Sequence, residues 1–198
     1  MAERYVTGST GIVITVPESD ELVRAVRERY DPALAFGVPP HVTVLFPWLS
    51  QPSVTDEQLA ALAELAAATP AFDAALTHVG RFPGVAWLAP RPSEPFRALS
   101  RAVWARWPQT PPYEGRFADP APHLTVADGQ PDEVLDAVER ELGSRLPVPF
   151  KVDALTLLCF DGRRWTQLAR FGLARGGRSG ASTESENHMV LTKGVTIA

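Results

Sequence analysis

Cysteine is almost missing from this sequence, which has one, Cys159, among 198 residues. A single cysteine cannot form an internal disulfide, so the composition favours a reducing compartment. Cys159 lies in the apolar run 155–160, and we expect it to be buried packing rather than a nucleophile. The chain also lacks Cys-x-x-Cys and His-x-x-x-His spacing, and no glutamate stands beside its histidine-bearing strands at ligand spacing. A metal hydrolase is therefore poorly supported.

Long apolar runs and an excess of basic residues are absent as well. No run approaches membrane-spanning length, and residues 1–5 lack the features of a signal peptide. We expect a cytoplasmic monomer with no membrane partner. With 19 Lys and Arg against 23 Asp and Glu, the formal net charge is -4, so no global positive field attracts long nucleic acid. A small nucleotide or one end of an RNA remains compatible as a substrate.

Histidine is scarce too, but two of the four histidines occupy the same five-residue pattern. The copies read Pro40-His41-Val42-Thr43-Val44 and Pro122-His123-Leu124-Thr125-Val126. Residues i and i+2 of a strand project from the same face. Each copy is therefore predicted to place an imidazole and a hydroxyl side by side, with its apolar residues anchored in a core. One copy alone is typical of a structural histidine, whereas two copies indicate a paired site.

The same order of elements follows each copy: the histidine strand, a helix and a hairpin. The repeat units span about 41–89 and 123–171, and we interpret residues 1–173 as one two-lobed domain with a flexible tail at 174–198. His78 shares a predicted face with Phe72 and Leu76, which indicates a buried histidine. Periodicity predicts strands at 11–16, 41–46, 72–78, 85–89, 123–126, 150–160 and 165–171, and helices at 20–30, 55–65, 95–107 and 131–142.

Two facing imidazoles suit a reaction that loses one proton and gains another. The ordinary histidine pKa of about 6.5 allows one ring to act as a base and the other as an acid near neutral pH. A phosphodiester between them fits this chemistry, because an attacking hydroxyl must be deprotonated and a leaving oxygen protonated. Thr43 and Thr125 are predicted to donate hydrogen bonds to the phosphate oxygens. A non-catalytic nucleotide or RNA-end binding module is the alternative.

The paired motifs resemble the His-x-Thr/Ser signatures of the two-histidine phosphoesterase superfamily, in particular its 2′-5′ RNA ligase-like branch. The likeness spans about residues 10–172. It implies an α+β fold in which two pseudo-symmetric antiparallel sheets with outer helices flank a central groove. It further implies metal-independent chemistry, without a cofactor, on 2′,3′-cyclic phosphates or 2′-5′ phosphodiesters. Carried over by position, His41 and His123 are the catalytic pair, and Thr43 and Thr125 bind phosphate.

The rim of the groove is less well defined by the sequence. Many relatives of the ligase-like branch carry a basic residue shortly after the second motif, whereas this chain has Asp128 in that region. The cation that faces the phosphate is therefore left open; Arg81, Arg91 and Arg116 are candidates from loops, although each is rather expected to be a solvated surface arginine. Tyr113 is the aromatic candidate for stacking on a base. Trp48 and Phe82 are expected in the core.

Overall fold

A computed structural model describes residues 5–117 and 119–175, together with the backbone of residues 190 and 191. In this part of the chain four α-helices accompany two antiparallel sheets, which confirms the predicted α+β class. The elements are β1 (Thr10–Thr15), α1 (Asp20–Tyr30), β2 (His41–Leu45), α2 (Asp56–Ala68), β3 (Phe72–Phe82), β4 (Val85–Arg91), α3 (Glu94–Arg106), β5 (Leu124–Asp128), α4 (Asp132–Gly143), β6 (Val148–Val152), β7 (Ala154–Phe160), β8 (Trp165–Gly172) and β9 (Val190–Leu191).

Both histidine strands lie at the edge of a sheet. The first sheet has the strand order β2-β1-β7-β8-β9, and the second has the order β5-β4-β3-β6. The edge strands β2 and β5 contact each other, while α1 packs on β5 and α3 packs on β2. The two sheets therefore meet along the strands that carry the paired motifs.

The sheets do not coincide with the two repeat units. The hairpin β3–β4 follows β2 in the chain but lies in the sheet of β5, and β7–β8 follows β5 but lies in the sheet of β2. Each sheet is thus assembled from both halves of the chain. The domain bounds stay a prediction, and most of the predicted tail lies outside the described residues. Within it, Ala174 bridges to Pro70, and β9 pairs with β8.

The apolar periodicity explains most of these elements. Thr55 caps α2, because its hydroxyl accepts a hydrogen bond from the Gln58 backbone N–H at 3.3 Å. In the two histidine strands the residues between the polar positions are buried: Val42 and Val44 in one strand, and Leu124 and Val126 in the other. Their burial against one continuous core holds the imidazoles and hydroxyls on the opposite face.

The prediction of one strand at 150–160 is wrong, because this segment belongs to two strands, β6 and β7. Strand β6 pairs with β3 in the second sheet, whereas β7 pairs with β1 and β8 in the first. Residues of β6 alternate between buried and exposed, while all of β7 is buried. Asp153 separates the two strands and joins them to different sheets.

The prediction that His78 is buried is also wrong, since its side chain is exposed and bonded to the Thr77 hydroxyl at 2.9 Å. The pairing of β3 with β4 shifts register between Leu76 and Val79. An extra residue in one strand interrupts the alternation of faces, so Val79 packs on the core and His78 does not.

None of the helices in the described ranges combines the length and the apolar character that a membrane span requires.

Candidate active site

Strands β2 and β5 bring their polar residues to one cavity. His41, Thr43, His123 and Thr125 all line it, and its volume is about 290 Å³. Each residue is partly buried, whereas its apolar neighbours in the strand are buried completely or nearly so. The structure thus unites the four residues that the paired motif singles out. The cavity lies near the lower end of the range for small-molecule sites, about 300–1,000 Å³.

The two imidazoles are held by equivalent contacts. The Nδ1 atom of His41 lies 2.8 Å from the carbonyl oxygen of Pro39, and that of His123 lies 2.7 Å from the carbonyl oxygen of Ala121. A carbonyl oxygen only accepts, so Nδ1 carries the hydrogen in both rings. The remaining nitrogen, Nε2, is therefore the atom that takes or gives a proton in each histidine.

Burial lowers the pKa of both histidines. For His41 the pKa falls to about 4, chiefly by burial, with smaller lowering effects from the charges of Arg27 and His123. The Pro39 carbonyl opposes this shift. Burial also lowers the pKa of His123, against the opposing effect of the Ala121 carbonyl. The two rings act on each other, so protonation of one disfavours protonation of the other.

Tyr113 lies against both motifs. Its ring stacks on the imidazole of His123, with centroids 6.5 Å apart and planes inclined by 22°. Burial raises the pKa of Tyr113, and the nearby Thr43 side chain opposes this shift. The structure therefore brings this predicted rim residue to the histidine pair, with one ring face already covered by His123.

Arg27 is the only Lys or Arg among the described residues that line the cavity. It projects from α1 and is buried with its partner Asp31; Nε donates to an Asp31 carboxylate oxygen at 2.9 Å, and an Nη atom donates to the Val38 carbonyl at 2.9 Å. Asp128 lines the cavity as well. The polar lining thus contains a paired cation and a further carboxylate.

The other wall of the cavity is apolar and aromatic. Tyr5, Phe46 and Trp165 line it from the first sheet and the segments beside it, together with Val13 and Leu158. Tyr5 and Phe46 each meet the Trp165 ring edge to face, with centroids 5.2 and 5.8 Å apart. This wall can hold a flat apolar ring next to the polar motifs.

Phe82 belongs to the cavity wall and not to the core, so its predicted position is wrong. Its side chain is 38% exposed and lines the cavity, where its ring stands edge-on to His123 with centroids 5.3 Å apart. It stacks on Trp87 across the turn of the β3–β4 hairpin. Trp48 is buried as predicted and packs edge-on against Trp107.

The arginines that the sequence suggested do not line the cavity. Arg81 is paired with Asp136 at 2.7 Å and Glu139 at 2.5 Å on α4, and Arg116 pairs with Glu114. Arg91 is exposed and donates to the Ser93 hydroxyl at 3.4 Å. Loop positions next to the motifs in sequence are therefore poor guides to the cation of this site.

Sequence reasoning missed Arg27, Asp31, Asp128 and Trp165. A signal for Arg27 existed, because it follows Val23 by four residues and so lies on the apolar stripe of α1, with Asp31 four residues later. Trp165 starts the last hairpin opposite Phe160, which marks it as a packed residue. Nothing local to the sequence indicates that either residue faces the histidines.

The arrangement can bind one phosphoryl group and move two protons around it. Two histidines and two threonines line one cavity, and its aromatic lining lies beside them and can accept a ring. No group of three or more His, Cys, Asp or Glu that could hold a metal ion is found in the described ranges. Acid–base chemistry by paired imidazoles is the chemistry that these side chains can supply.

Comparisons with known proteins agree with this geometry. The sequence model described as the 2′-5′ RNA ligase superfamily matches residues 15–164.

The crystal structure of Escherichia coli LigT with 3′-AMP is similar, with a TM-score of 0.56 and 22% identity over 85% of this chain and 99% of LigT. TT0787 of Thermus thermophilus is similar at a TM-score of 0.54 and 22% identity, over 85% of this chain and 100% of that protein. A structure described as a phosphoesterase matches at a TM-score of 0.55 and 19% identity, over 85% and 99% of the two chains. These likenesses establish a shared fold. The comparison with curated proteins gave no match.

Proposed function

Because the chain belongs to the 2′-5′ RNA ligase superfamily, we propose that it is a metal-independent phosphodiesterase. Its substrates are 2′,3′-cyclic phosphates or 2′-5′ phosphodiester bonds at a nucleotide or an RNA end. The observation that carries this proposal is the equivalence of the two histidines. Each binds a backbone carbonyl through Nδ1, which leaves both Nε2 atoms for chemistry in one cavity with both threonines.

In hydrolysis of a 2′,3′-cyclic phosphate, one neutral imidazole takes a proton from water as the water oxygen bonds to phosphorus. The bond between phosphorus and one ribose oxygen breaks, and the second imidazole, protonated at Nε2, gives its proton to that oxygen. One proton enters the histidine pair and one leaves it, so the pair ends with its total charge unchanged. With the 5′-hydroxyl of a second RNA end in place of water, the same steps join two ends: the new bond to phosphorus forms as the bond to the ribose 3′ oxygen breaks, which leaves a 2′-5′ phosphodiester.

We assign the base of the hydrolytic direction to His41 and the acid to His123. Burial and the nearby Arg27 charge lower the His41 pKa to about 4, so this ring is neutral at the pH of the cytoplasm. Arg27 is not among the causes that shift the His123 pKa. A bound phosphate anion favours the protonated form of both rings, and His123 is then the easier to protonate.

The substrate carries little charge and one ring system. Arg27, the only Lys or Arg among the described lining residues, is already paired with Asp31, so the cavity favours a singly charged diester over a polyphosphate. The wall of Tyr5, Phe46 and Trp165 suits a nucleobase, and stacking on such side chains contributes about 1–3 kcal/mol per base. The E. coli relative LigT has been solved with 3′-AMP, NADP+ and ATP.

Alanine substitution of each histidine tests the proposal. His41→Ala and His123→Ala are each expected to lower kcat on 2′,3′-cyclic mononucleotides by about 10²- to 10⁴-fold, because each removes one proton-transfer step. His78→Ala is the matched control, since this histidine is exposed on β3. Turnover is measured by the appearance of the phosphomonoester, with EDTA present and absent and with circular dichroism to verify folding.

Full activity in either variant would contradict the two-histidine mechanism, and loss of activity in EDTA would contradict metal independence. Tight nucleotide binding without turnover, across 2′,3′-cyclic and 2′-5′ linked substrates, would favour the binding-module alternative instead.

A further inference from the structure

The two proposed kinds of substrate differ in how many nucleosides flank the phosphate. The cyclic phosphate of a mononucleotide carries one nucleoside, whereas a 2′-5′ phosphodiester joins two. Each nucleoside brings a base with flat faces, which stack on aromatic side chains. The wall of Tyr5, Phe46 and Trp165 supplies one aromatic surface from the first sheet and the segments beside it. A site for two nucleosides needs a second surface of this kind.

Phe82 supplies a ring from the second sheet. It is the last residue of β3, and it lines the cavity together with His123. Large apolar side chains are exposed at four positions in the described ranges: Val6, Phe82, Trp104 and Phe117. Of these four, Phe82 is the one that lines the cavity. Its exposed surface therefore belongs to the site.

The neighbours of Phe82 leave one side of its ring open. Trp87 stacks on it with centroids 5.0 Å apart and planes inclined by 30°, and the His123 centroid lies 5.3 Å away. The centroids of Trp87 and His123 are themselves only 6.1 Å apart. Rings on opposite sides of Phe82 would be separated by nearly the sum of the two distances, so both neighbours lie to one side of it. The exposed surface of Phe82 consequently faces away from them.

The ring behind Phe82 is fixed by the β3–β4 hairpin. Gly80 and Trp87 are partners in the antiparallel pairing, and the missing side chain of Gly80 leaves room for the Trp87 ring. Phe82 pairs with Val85 at the end of the same hairpin. Because Phe82 rests on a ring that is itself packed, little conformational entropy is lost when a base covers its open side.

The enclosed part of the cavity takes one ring system, and a second must lie at its mouth. The volume of about 290 Å³ is near the lower end for a small-molecule site, about 300–1,000 Å³. Phe82 is at the mouth, because it lines the cavity and is also 38% exposed. We propose that Phe82 stacks on the second nucleobase of a 2′-5′-linked substrate, so that a substrate with two nucleosides is preferred over one with a single nucleoside. This inference rests on the proposed function.

Nucleotide binding with turnover suppressed tests this subsite. In a His41→Ala background, calorimetry gives the dissociation constants of 2′-5′-linked adenylyl-adenosine and of adenosine 2′-monophosphate. The dinucleotide is expected to bind more tightly than the mononucleotide. Adding Phe82→Ala should lower this preference, the ratio of the two dissociation constants, by about fivefold to twentyfold, as for the loss of one stacked base.

Two further substitutions separate stacking from apolar packing. Phe82→Leu keeps an apolar side chain without a ring and should lower the preference as Phe82→Ala does. Phe82→Tyr keeps the ring and should hold the preference within about twofold. Trp104→Ala is the matched control, because this aromatic side chain is exposed to the same degree, 39%, but lies on α3 outside the cavity lining. Circular dichroism verifies the folding of each variant.

Equal weakening of both ligands by Phe82→Ala would overturn the proposal and assign Phe82 to the support of His123. A full preference for the dinucleotide in Phe82→Leu would overturn it as well, because an apolar contact without a ring would then be sufficient. Binding of neither ligand to the His41→Ala parent would also overturn the subsite.

Turnover by the wild-type protein separates this inference from the proposed function. The substrates are 2′,3′-cyclic adenosine monophosphate and the 2′-5′-linked dinucleotide. If neither is cleaved but the binding preference depends on Phe82, the subsite stands and the phosphodiesterase function fails. If both are cleaved and the preference does not depend on Phe82, the subsite fails and the function stands.

Discussion

The two histidines share one backbone contact but have different electrostatic surroundings. Each ring donates from Nδ1 to the carbonyl two residues earlier, which sets the same tautomer in both. Burial lowers both pKa values, and Arg27 lowers that of His41 further. Because one ring disfavours protonation of its neighbour, the free enzyme gains its two protons in separate steps. In the proposed mechanism, this difference allows one residue type to supply both the base and the acid.

The pH dependence of kcat/KM should report this difference. The acid limb is expected near pH 4, where His41 becomes protonated. The alkaline limb is expected below pH 6.5, because burial lowers the His123 pKa from its ordinary value of 6.5. In kcat both limbs should move to higher pH, since the bound phosphate anion stabilises imidazolium. A kcat/KM profile with both limbs above pH 7 would contradict the assignment.

At the scale of the elements, α1 positions the entrance of β2. Arg27 on this helix binds Asp31 just past its end and the Val38 carbonyl in the segment that leads to His41. Asp31 also accepts from the Ala33 N–H at 3.0 Å. A buried, hydrogen-bonded ion pair thus ties the helix to the strand entrance, and its positive end lies close enough to His41 to lower the pKa of that ring.

Substitution of Arg27 should affect both stability and titration. Arg27→Met leaves the buried Asp31 carboxylate without its partner, and the expected loss is about 3–5 kcal/mol in the free energy of unfolding. The His41 pKa should rise in the same variant, as measured by NMR titration. Arg24→Met on the same helix is the control, because its ion pair with Asp20 is exposed to solvent and its loss should leave stability almost unchanged. Equal effects of the two substitutions would contradict this account.

The β3–β4 hairpin supports the other histidine. Gly80 pairs with Trp87, and the Trp87 ring lies over Gly80 and against His123, with centroids 6.1 Å apart. A Cβ added at Gly80 would lie 2.4 Å from the Trp87 ring. The missing side chain of Gly80 therefore makes room for the ring that backs His123.

Gly80→Ala should displace this ring. We expect a loss of about 1–3 kcal/mol in the free energy of unfolding, together with a lower kcat/KM, because Trp87 must move away from its place beside His123. Gly172→Ala, in β8, is the matched control, since no atom lies within 4 Å of an added Cβ there. Chemical denaturation and turnover measure the two effects. Retention of wild-type kcat/KM in Gly80→Ala would show that Trp87 does not position His123.

At the scale of the whole molecule, the two sheets depend on each other. Each hairpin lies in the sheet of the other repeat unit, and residues of both sheets belong to one continuous hydrophobic cluster. Helix α1, which precedes the first histidine strand, packs on β5 of the second sheet, and α3 packs on β2 of the first. Neither half of the chain therefore holds a complete sheet or a complete core.

Unfolding should accordingly be a single transition. Leu157→Ala in β7 and Leu88→Ala in β4 remove fully buried side chains from different sheets, and each should cost about 2–5 kcal/mol. Both variants are expected to lower the midpoint of one shared transition, seen alike by tryptophan fluorescence and far-ultraviolet circular dichroism. Two separate transitions, each shifted by only one of the substitutions, would contradict the interdependence of the sheets.

Local patterns in the sequence were sufficient to predict most helices, both hairpins and the paired His-x-Thr strands. The alternation in 41–45 and 124–128 is a property of a few neighbouring residues, and the helices carry their own apolar stripes and the Thr55 cap. The family likeness rested on the same motifs. These features could be predicted because their physical causes lie within one turn or one strand.

Contacts between distant parts of the chain decided the rest. Three features depend on strand register and on sheet partner, which no local hydrophobic periodicity encodes. They are the division of the predicted strand at Asp153, the exposure of His78 and the exchange of hairpins between the sheets. Arg27 reaches the site from helix α1, which no motif in the sequence links to the histidines. The sequence by itself therefore determined which groups could do the chemistry. Only the tertiary structure decided what surrounds them, because burial and charge at the two histidines are set by long-range packing.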